Sequence, residues 1–306
     1  MFLLFAHNLI IGFEGTKPED LCVQKMLRYA KLRKIKGVIL FTRNIENAEQ
    51  LKTLTKAFKK ANPKLEITSD EEGRFAPFDG VSRLHSLVGS VKSAYRMAQT
   101  ESVKGAYLIY RDYARKLKVL GITMVFGPCI DLYAPQSPVI AKYNRAYSEN
   151  PEIVVEYARA FIKAFRDEGI KTVVKHYPGH GLAKIDTHKD ITNVTETFQN
   201  KELIPFQKLS KDTPYIMMAH IIDDNVDPKT EASLSLKHYA NARKMGYTKL
   251  ITDDLHMGAV QIRHQPINKA IKKALKMGAI VIASNMPKAS PTFTFTPDFD
   301  LPDKLD

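Results

Sequence analysis

Short apolar runs of strand length alternate with amphipathic, helix-like segments along this chain of 306 residues. Alternation of this kind predicts parallel strands joined by crossover helices. Eight such runs favour an α/β fold that forms a single (β/α)8 TIM-like barrel over a division into two domains. The runs cover residues 8–13, 37–41, 65–69, 121–126, 171–175, 215–219, 249–252 and 278–284.

The clearest helix prediction follows Asn150 and Pro151, a typical N-cap residue and a typical first helical residue. Apolar side chains then recur at intervals of three and four as far as Phe165, and Gly169 marks the helix end. A doubly wound open sheet is the alternative fold. It is disfavoured because no Gly-x-Gly-x-x-Gly run follows the first predicted strand, where a dinucleotide-binding fold has one.

The C-terminal end departs from an ideal barrel. Residues 286–306 contain prolines at positions 287, 291, 297 and 302, and proline in a helix interior removes a hydrogen bond and clashes with the preceding turn. We therefore predict that the last helix is missing or irregular, because the tail packs irregularly or the chain stops short of a full barrel. The predicted organisation is one catalytic barrel domain over 1–306, with 286–306 as an irregular Pro-rich tail.

Charge and cysteine content narrow the class of partner. The formal net charge is +13, but the lysines are scattered over helix-like segments and no nucleic-acid recognition module is present, so we expect no nucleic-acid partner. No apolar stretch is long enough to span a bilayer. Residues 1–13 lack the basic start and cleavage site of a signal peptide, so we interpret them as leading into the first strand. Cys22 and Cys129 form neither a metal-spaced pair nor a disulfide framework, which fits a cytoplasmic protein.

Polar residues follow nearly every predicted strand. In barrels of this class the chemistry lies on the loops after the strands, so these side chains are expected to meet at one mouth. Any single one could be a helix cap or a solvated residue, but the set is hard to explain in that way. The residues at the strand ends are Glu14, Arg43, Asp70, Asp131, Lys175 with His176, His220, Asp253 with Asp254, and Asn285.

The run from Lys175 to His188 concentrates three histidines, one aspartate and two lysines behind the fifth strand. Its proline and two glycines predict a shaped loop rather than a helix. A metal site on His176 and His180 is the weaker interpretation, since that spacing needs a helix to place both on one face. Asp186 and His188 are more naturally an orienting pair, in which the carboxylate holds the imidazole and raises its basicity. We expect no metal and no cofactor.

Two consecutive carboxylates follow the seventh strand. A single aspartate there could be the N-cap of the next helix, which aspartate favours. Two consecutive aspartates can have different roles, and we predict that Asp253 points inward and Asp254 is the capping residue.

Taken together, these motifs resemble the bacterial β-N-acetylglucosaminidases of glycoside hydrolase family 3, the enzymes of peptidoglycan recycling. The likeness covers nearly the whole chain. Its most specific parts are the Lys175–His188 run and the run Thr252-Asp253-Asp254-Leu255. The other matching segments are Gly12-Phe13-Glu14-Gly15, Leu40-Phe41-Thr42-Arg43-Asn44, Asp70-Glu71-Glu72-Gly73-Arg74, Ala219-His220 and Val226-Asp227-Pro228.

The resemblance implies a retaining exo-β-N-acetylglucosaminidase that removes terminal N-acetylglucosamine from muropeptides, the GlcNAc-1,6-anhydroMurNAc-peptides of cell-wall recycling. It implies that Asp253 is the nucleophile and that His188 is the general acid/base, with Asp186 as its partner. An imidazole suits both halves of the cycle because it titrates near neutrality. It further implies a cytoplasmic enzyme, expected to be a monomer, with small carbohydrate substrates. The substrate-binding positions that it implies are Asp70, Arg145, Lys175, His176, Asp131 and His220.

The chain departs from the family pattern after Glu72. That run normally has paired glycines and an arginine before a phenylalanine, whereas here Gly73 stands alone and Pro77 precedes Phe78. One expected sugar contact is therefore missing, and Arg74 or Arg83 could compensate for it.

Three other functions remain as alternatives. A family 3 β-glucosidase or β-xylosidase generally takes its acid from a second domain or a distant loop, whereas Asp186 and His188 are supplied locally here. A metal-dependent barrel hydrolase would use His176, His180, His188 and Asp253. A catalytically inactive binding protein for cell-wall fragments is disfavoured because every catalytic position is retained.

Overall fold

The computed structural model describes residues 6–73 and 84–284, which form an α/β fold whose strand pairs are parallel. Each of the eight predicted runs contains or overlaps a strand, so the strand predictions are confirmed. The strands are β1 Leu9–Gly12, β2 Gly37–Ile39, β3 Glu66–Asp70, β4 Met124–Phe126, β5 Lys171–Thr172, β6 Val174–Tyr177, β7 Thr192–Asn193, β8 Tyr215–Met218, β9 Ile221–Ile222, β10 Lys249–Thr252 and β11 Val281–Ala283.

Helices connect the strands of this fold. Short 3-10 helices cover Ala6–Asn8, Thr42–Asn44, Asn200–Glu202 and Ala232–Leu234. The α-helices are α1 Leu21–Lys31, α2 Ala48–Ala61, α3 Leu84–Val88, α4 Ala94–Thr100, α5 Val103–Val119, α6 Pro151–Asp167, α7 Leu203–Leu209, α8 Leu236–Lys244, α9 Gly258–Gln261 and α10 Asn268–Lys276.

Helix α6 forms as its sequence predicts. The Asn150 side chain accepts a hydrogen bond of 2.9 Å from the Glu152 N–H, and Pro151 is the first helical residue. The periodic apolar side chains are buried, and Phe161 packs against Tyr110 of α5 with ring centroids 4.8 Å apart. Gly169 adopts a positive φ of 79° just after the helix, a conformation that glycine takes without steric cost.

The main strands form two sheets. One has the order β11-β1-β2-β3-β4-β5 and the other the order β10-β8-β6. Their edges are joined where Ile280 N donates to Leu250 O at 2.8 Å and Thr252 N donates to Ile280 O at 2.9 Å. At the other side β5 and β6 follow each other along the chain, with Val173 between them. The N–H of Val173 is shared by Val125 O and Gly127 O, so the predicted strand at 171–175 is split there.

Side chains on the two faces of these strands separate into two layers. One face packs beneath the helices, in the large core that includes Leu9, Val38 and Val125. The side chains of the opposite face pack against one another, and we call this set the inner cluster. Its members are Ile10, Ile39, Phe41, Met124, Phe126, Val173, Met217, Ile251, Ile280 and Ile282.

Two sequence-based predictions fall outside the described residues. The segment with Arg74, Pro77, Phe78 and Arg83 is one of them, and the Pro-rich tail at 286–306, with Asn285 before it, is the other. Over residues 6–73 and 84–284, no helix is both long enough and apolar enough to cross a membrane.

Candidate active site

Polar side chains from the carboxyl ends of several strands line a cavity of about 160 Å³. Its floor is formed by members of the inner cluster. Strand β3 ends at Asp70, Lys175 and His176 lie on β6, and Asp253 directly follows β10. The predicted residues that the structure brings together in the lining are Asp70, Arg145, Lys175, His176, His188 and Asp253, beside Glu72 and Asp254.

Glu72 holds the two buried cations of this cavity. Its carboxylate accepts hydrogen bonds from Arg145 Nε and Nη2, both at 2.7 Å, and lies 2.6 Å from Lys175 Nζ. The Lys175 ammonium also donates to Asp70 at 2.8 Å. Burial raises the pKa of Glu72, but the charges of Arg145 and Lys175 outweigh it, so the pKa lies far below its ordinary value. Burial likewise lowers the pKa of Lys175, yet Asp70 and Glu72 raise it overall.

The His176 ring has a defined proton arrangement. Its Nε2 lies 3.2 Å from Arg145 Nη2, which can only donate, so Nε2 accepts. Its Nδ1 therefore carries the proton and donates to Asp131 Oδ2 at 2.6 Å. Burial raises the pKa of Asp131, but His176 lowers it more, to about 2. The His176 ring is therefore fixed in orientation in the cavity lining by its hydrogen bond to the ionised Asp131.

Asp253 and Asp254 take different roles. The Asp253 N–H donates to Met218 O at 2.9 Å, which ties this residue to β8, and its Oδ1 accepts from Asp254 N at 2.8 Å. Burial raises the pKa of Asp253, but neighbouring imidazoles, His220 first, and Lys175 outweigh it, so the pKa is lowered. The Asp254 carboxylate instead accepts from the N–H and hydroxyl of Ser284 and from His256 N. The two carboxylates therefore differ in their contacts, as predicted, but Asp254 does not cap the following helix, because Met257 is the N-cap residue of α9 and the Asp254 carboxylate is held by Ser284 and His256 instead.

His188 and Asp186 form the predicted pair. His188 Nδ1 lies 2.7 Å from Asp186 Oδ1, which also accepts the His188 N–H at 3.0 Å. Burial raises the pKa of Asp186, but the hydrogen bonds and charge of His188 lower it to about 2. An ionised Asp186 fixes the proton of the His188 ring on Nδ1. The His188 side chain is 46% exposed and lines the cavity.

A comparison with protein families decides the class of protein. The sequence model of the glycosyl hydrolase family 3 N-terminal domain matches residues 23–292. The chain belongs to glycosyl hydrolase family 3. It is therefore a glycoside hydrolase, and the expectation of an enzyme of this family is confirmed.

Relatives in family 3 extend along most of the chain. A β-hexosaminidase of Alkalilimnicola ehrlichii is 31% identical over 294 residues, covering 92% of this chain and 82% of the relative. One of Neisseria meningitidis serogroup B is 34% identical over 261 residues, covering 81% and 69%. Among solved structures, NagZ from Neisseria gonorrhoeae in complex with N-trifluoroacetyl-D-glucosamine has a TM-score of 0.72 and 27% identity, covering 90% of this chain and 80% of that one. A family member from Mycobacterium smegmatis has a TM-score of 0.77, 29% identity and coverages of 91% and 84%.

Two of the predicted substrate-binding residues of this family 3 protein lie behind the cavity wall. Asp131 is 1% exposed and holds His176, as well as the backbone N–H of His180 at 2.8 Å. His220 is fully buried, and its Nε2 donates to Asp254 O at 2.8 Å while Nδ1 bonds Ser233 Oγ at 2.7 Å. Both residues support the lining rather than form it.

Two other strand-end residues serve the fold of this family 3 chain. Arg43 pairs with Glu14 at 3.1 Å and donates to the carbonyls of Phe13 and Ser284, so it ties the end of β2 to those of β1 and β11. Glu72 is a residue of the cavity lining that the sequence analysis did not predict as a site residue. Its signal was the row of carboxylates from Asp70 to Glu72, because buried carboxylates at a strand end need hydrogen-bond donors or cations nearby.

The histidines of the alternative metal site are bonded to other residues of the protein. His180 Nε2 lies 3.0 Å from Thr187 Oγ1, and His188 Nδ1 is engaged by Asp186. Over the described part of the chain, Cys129, Asp131 and His176 have ligand atoms within 4.8 Å of one another. The Arg145 guanidinium lies 3.2 Å from His176 Nε2, and its positive charge beside this group opposes metal binding.

Proposed function

We propose that this family 3 hydrolase is a retaining exo-β-N-acetylglucosaminidase that removes terminal β-linked N-acetylglucosamine. The observation that carries the proposal is that Asp253 and His188 line the same cavity, with an ionised Asp186 bonded behind His188. The names of the relatives support it, since those that are 31% and 34% identical are β-hexosaminidases.

In the first step, the Asp253 carboxylate attacks the anomeric carbon while His188 Nε2–H protonates the departing glycosidic oxygen. The C–O bond to the leaving group breaks, and a covalent glycosyl-enzyme forms. In the second step, neutral Nε2 takes a proton from water, the water oxygen attacks the anomeric carbon, and Asp253 leaves. The lowered pKa of Asp253 keeps the nucleophile ionised at neutral pH.

The cavity cations and carboxylates would hold the sugar ring. Asp70, Lys175, Arg145 and His176 supply both acceptors and donors at fixed positions, as a polyhydroxylated ligand requires. In variants that still fold, substitution of Lys175 or Arg145 by alanine should chiefly raise KM, and kcat falls too if the contacts tighten in the transition state.

We further propose that the sheets close into a single (β/α)8 barrel. Supporting contacts are the hydrogen bonds of Ile280 with Leu250 and Thr252, and the continuation of β5 into β6 beside the end of β4. Counting β5 and β6 as one strand gives the order β11-β1-β2-β3-β4-β5/β6-β8-β10, which has eight positions. The inner cluster would then be the packed interior of that barrel.

The proposed substrates are muropeptides, specifically GlcNAc-1,6-anhydroMurNAc-peptides of cell-wall recycling, acted on in the cytoplasm by a monomer. The formal charge of +13 supports an anionic substrate, because the carboxylates of a peptide stem would be attracted to a basic surface.

Turnover of an aryl N-acetyl-β-glucosaminide should be compared with that of the matching glucoside and galactosaminide. We expect preference for the glucosaminide, whereas preference for the glucoside would favour a family 3 β-glucosidase. Activity should survive exhaustive chelation, and its loss would favour a metal-dependent hydrolase. Muropeptides carrying and lacking the peptide stem then test the proposed substrate.

A further inference from the structure

Glu202 is a buried carboxylate that the proposed chemistry does not use. It ends the 3-10 helix Asn200–Glu202 before α7 and is 1% exposed. Its Oε1 accepts from Gln199 N at 3.3 Å, and its Oε2 accepts from Leu182 N at 3.4 Å. The Gly181 N–H is a further donor to the same carboxylate. Oε1 of Glu202 therefore bonds to the start of its own helix, and Oε2 bonds to the loop at 175–188.

The loop is shaped to receive this carboxylate. Gly179 packs against Glu202 so closely that a Cβ there would lie 2.8 Å from Glu202 Cβ and 2.9 Å from Oε2. Its φ of 142° is also one that residues with a side chain rarely adopt. The same segment is also held by Asp131, whose Oδ1 accepts the His180 N–H at 2.8 Å. Two carboxylates therefore accept backbone hydrogen bonds from residues 179–182.

This segment is connected to the far end of the loop. The buried His180 ring lies between the two parts, and its Nε2 bonds Thr187 Oγ1 at 3.0 Å. Thr187 precedes His188 in sequence, so displacement of residues 179–182 would be transmitted to the Asp186–His188 pair. The contacts therefore run from Glu202 to Leu182, then through His180 and Thr187 to His188.

We propose that Glu202 is a positioning residue, whose carboxylate anchors residues 179–182 so that His188 is held over the cavity. The role of His188 in this inference rests on the proposed function. A carboxylate suits this anchoring role because both of its oxygens accept hydrogen bonds. The NH₂ of a glutamine only donates, so it would place two donors together at either the Gln199 N–H or the loop N–H groups.

The electrostatic setting supports a functional role for this anion. Burial raises the pKa of Glu202 to about 7, the backbone N–H of Gln199 opposes this, and the charge of Asp131 adds to it. The backbone N–H groups of Leu182 and Gly181 also act to lower the pKa. Glu202 has no cationic partner among these contacts, so its hydrogen bonds to Gln199 and to the loop are what oppose the cost of burying its charge.

Hydrogen–deuterium exchange tests the anchoring without reference to catalysis. In Glu202→Gln, amides in peptides covering 178–188 should exchange at least about tenfold faster, because their anchor is lost. Peptides covering α6 should be unchanged. Glu66→Gln is the matched control, since Glu66 is also buried but binds Lys171 and Thr123 at the opposite end of the strands. Unchanged exchange at 178–188 in Glu202→Gln overturns the proposal.

Kinetics then test the consequence for catalysis. We expect Glu202→Gln to lose more kcat/KM on a 4-methoxyphenyl N-acetyl-β-glucosaminide than on the 4-nitrophenyl substrate, by at least about tenfold, because the poorer leaving group depends on the acid. Glu66→Gln should not alter this ratio. Equal losses on both substrates would mean that Glu202 is merely structural.

Thr187→Val provides a second route if Glu202→Gln fails to fold. It removes the hydroxyl bonded to His180 and leaves Glu202 intact, so it should raise the same leaving-group ratio. An unchanged ratio would overturn the connection to His188. If the wild-type enzyme cleaves neither substrate, the proposed function fails. The anchoring by Glu202 is then tested only by hydrogen–deuterium exchange at 178–188 in Glu202→Gln and Thr187→Val.

Discussion

Glu72 binds Arg145 through two hydrogen bonds of 2.7 Å, one to each carboxylate oxygen, and their side chains are only 1% and 7% exposed. A paired fork of this kind fixes the plane of the guanidinium as well as its charge. Because Glu72 also lies 2.6 Å from Lys175, two cations of the cavity contact the same buried anion, and Lys175 has Asp70 as a second partner.

Glu72→Gln should strongly destabilise the protein. The substitution keeps the side-chain volume but leaves Arg145 and Lys175 short of one negative charge, and breaking a buried pair typically costs about 3–5 kcal/mol. Urea denaturation measures the change. Glu49→Gln, which breaks an exposed pair with Lys52, should leave the midpoint near that of the wild type. Similar midpoints for the two variants would contradict this account of Glu72.

Asp253→Ala should abolish turnover while the fold is retained, since the covalent route is lost with the nucleophile. A mechanism-based 2-fluoro or 5-fluoro sugar should label Asp253 in the wild type, as found by mass spectrometry of peptides. Asp254→Asn should still be labelled at Asp253, because Asp254 is held by Ser284 and His256. Label on Asp254 would mean that the roles are reversed.

His188→Ala should slow both steps, by ~10²–10⁴-fold on natural disaccharides. Activated aryl substrates need little protonation, so their first step should suffer less. Azide should rescue the second step and yield a β-glycosyl azide, detectable by NMR. His264→Ala, which removes an imidazole paired with Glu231 away from the cavity lining, is the control and should retain activity. Equal losses on all substrates, with no azide product, would give His188 a structural role.

Stability should depend on pH through Glu202. Its pKa is about 7 in the folded protein against about 4.3 unfolded, so the folded state binds the proton more tightly. The resulting contribution is fully present below about pH 4 and is lost as the pH rises through 7. Glu202→Gln lacks this titration, so wild-type stability should fall relative to the variant by on the order of 1–3 kcal/mol between pH 5 and 8.

Urea denaturation at several pH values measures this difference, from which pH-independent effects of the substitution cancel. Glu49→Gln serves as the control, because the hydrogen bond from Lys52 lowers the pKa of Glu49, so Glu49 is ionised in both states above about pH 5 and its difference from wild type should stay nearly constant between pH 5 and 8. If the difference in the free energy of unfolding between wild type and Glu202→Gln is constant over this pH range, the raised pKa of Glu202 is refuted.

The sequence predicted most of the strands and the identity of the polar residues at their ends. Burial on both faces makes each strand a continuous apolar run, and this local signal marked all eight positions. The break at Val173 could not be seen, because it arises when one N–H meets two carbonyls of a neighbouring strand. Pairing across the sheet, and not composition, decides where such a strand divides.

The candidate site was predictable where its partners are close in sequence. Asp186 and His188 are two residues apart, and their pairing is confirmed by the 2.7 Å contact. Glu72 and Arg145 are 73 residues apart, so no spacing rule connects them. His220 was expected at the cavity mouth, but bonds to Ser233 and Asp254 O hold it behind the wall. Such long-range contacts require the fold.

The end of the loop at 175–188 is bonded to the start of α9 through main-chain hydrogen bonds, from Gly258 N to His188 O at 3.2 Å and from Ala259 N to Thr187 O at 3.1 Å. Gly258 is only five residues beyond Asp253 in sequence, so these bonds fix the position of His188 relative to Asp253. A Cβ at Gly258 would come within 2.7 Å of the His188 and Lys189 carbonyl oxygens. The placement of His188 next to this helix therefore depends on backbone atoms and on the missing side chain of Gly258, and a larger residue at position 258 would have to displace residues 188 and 189.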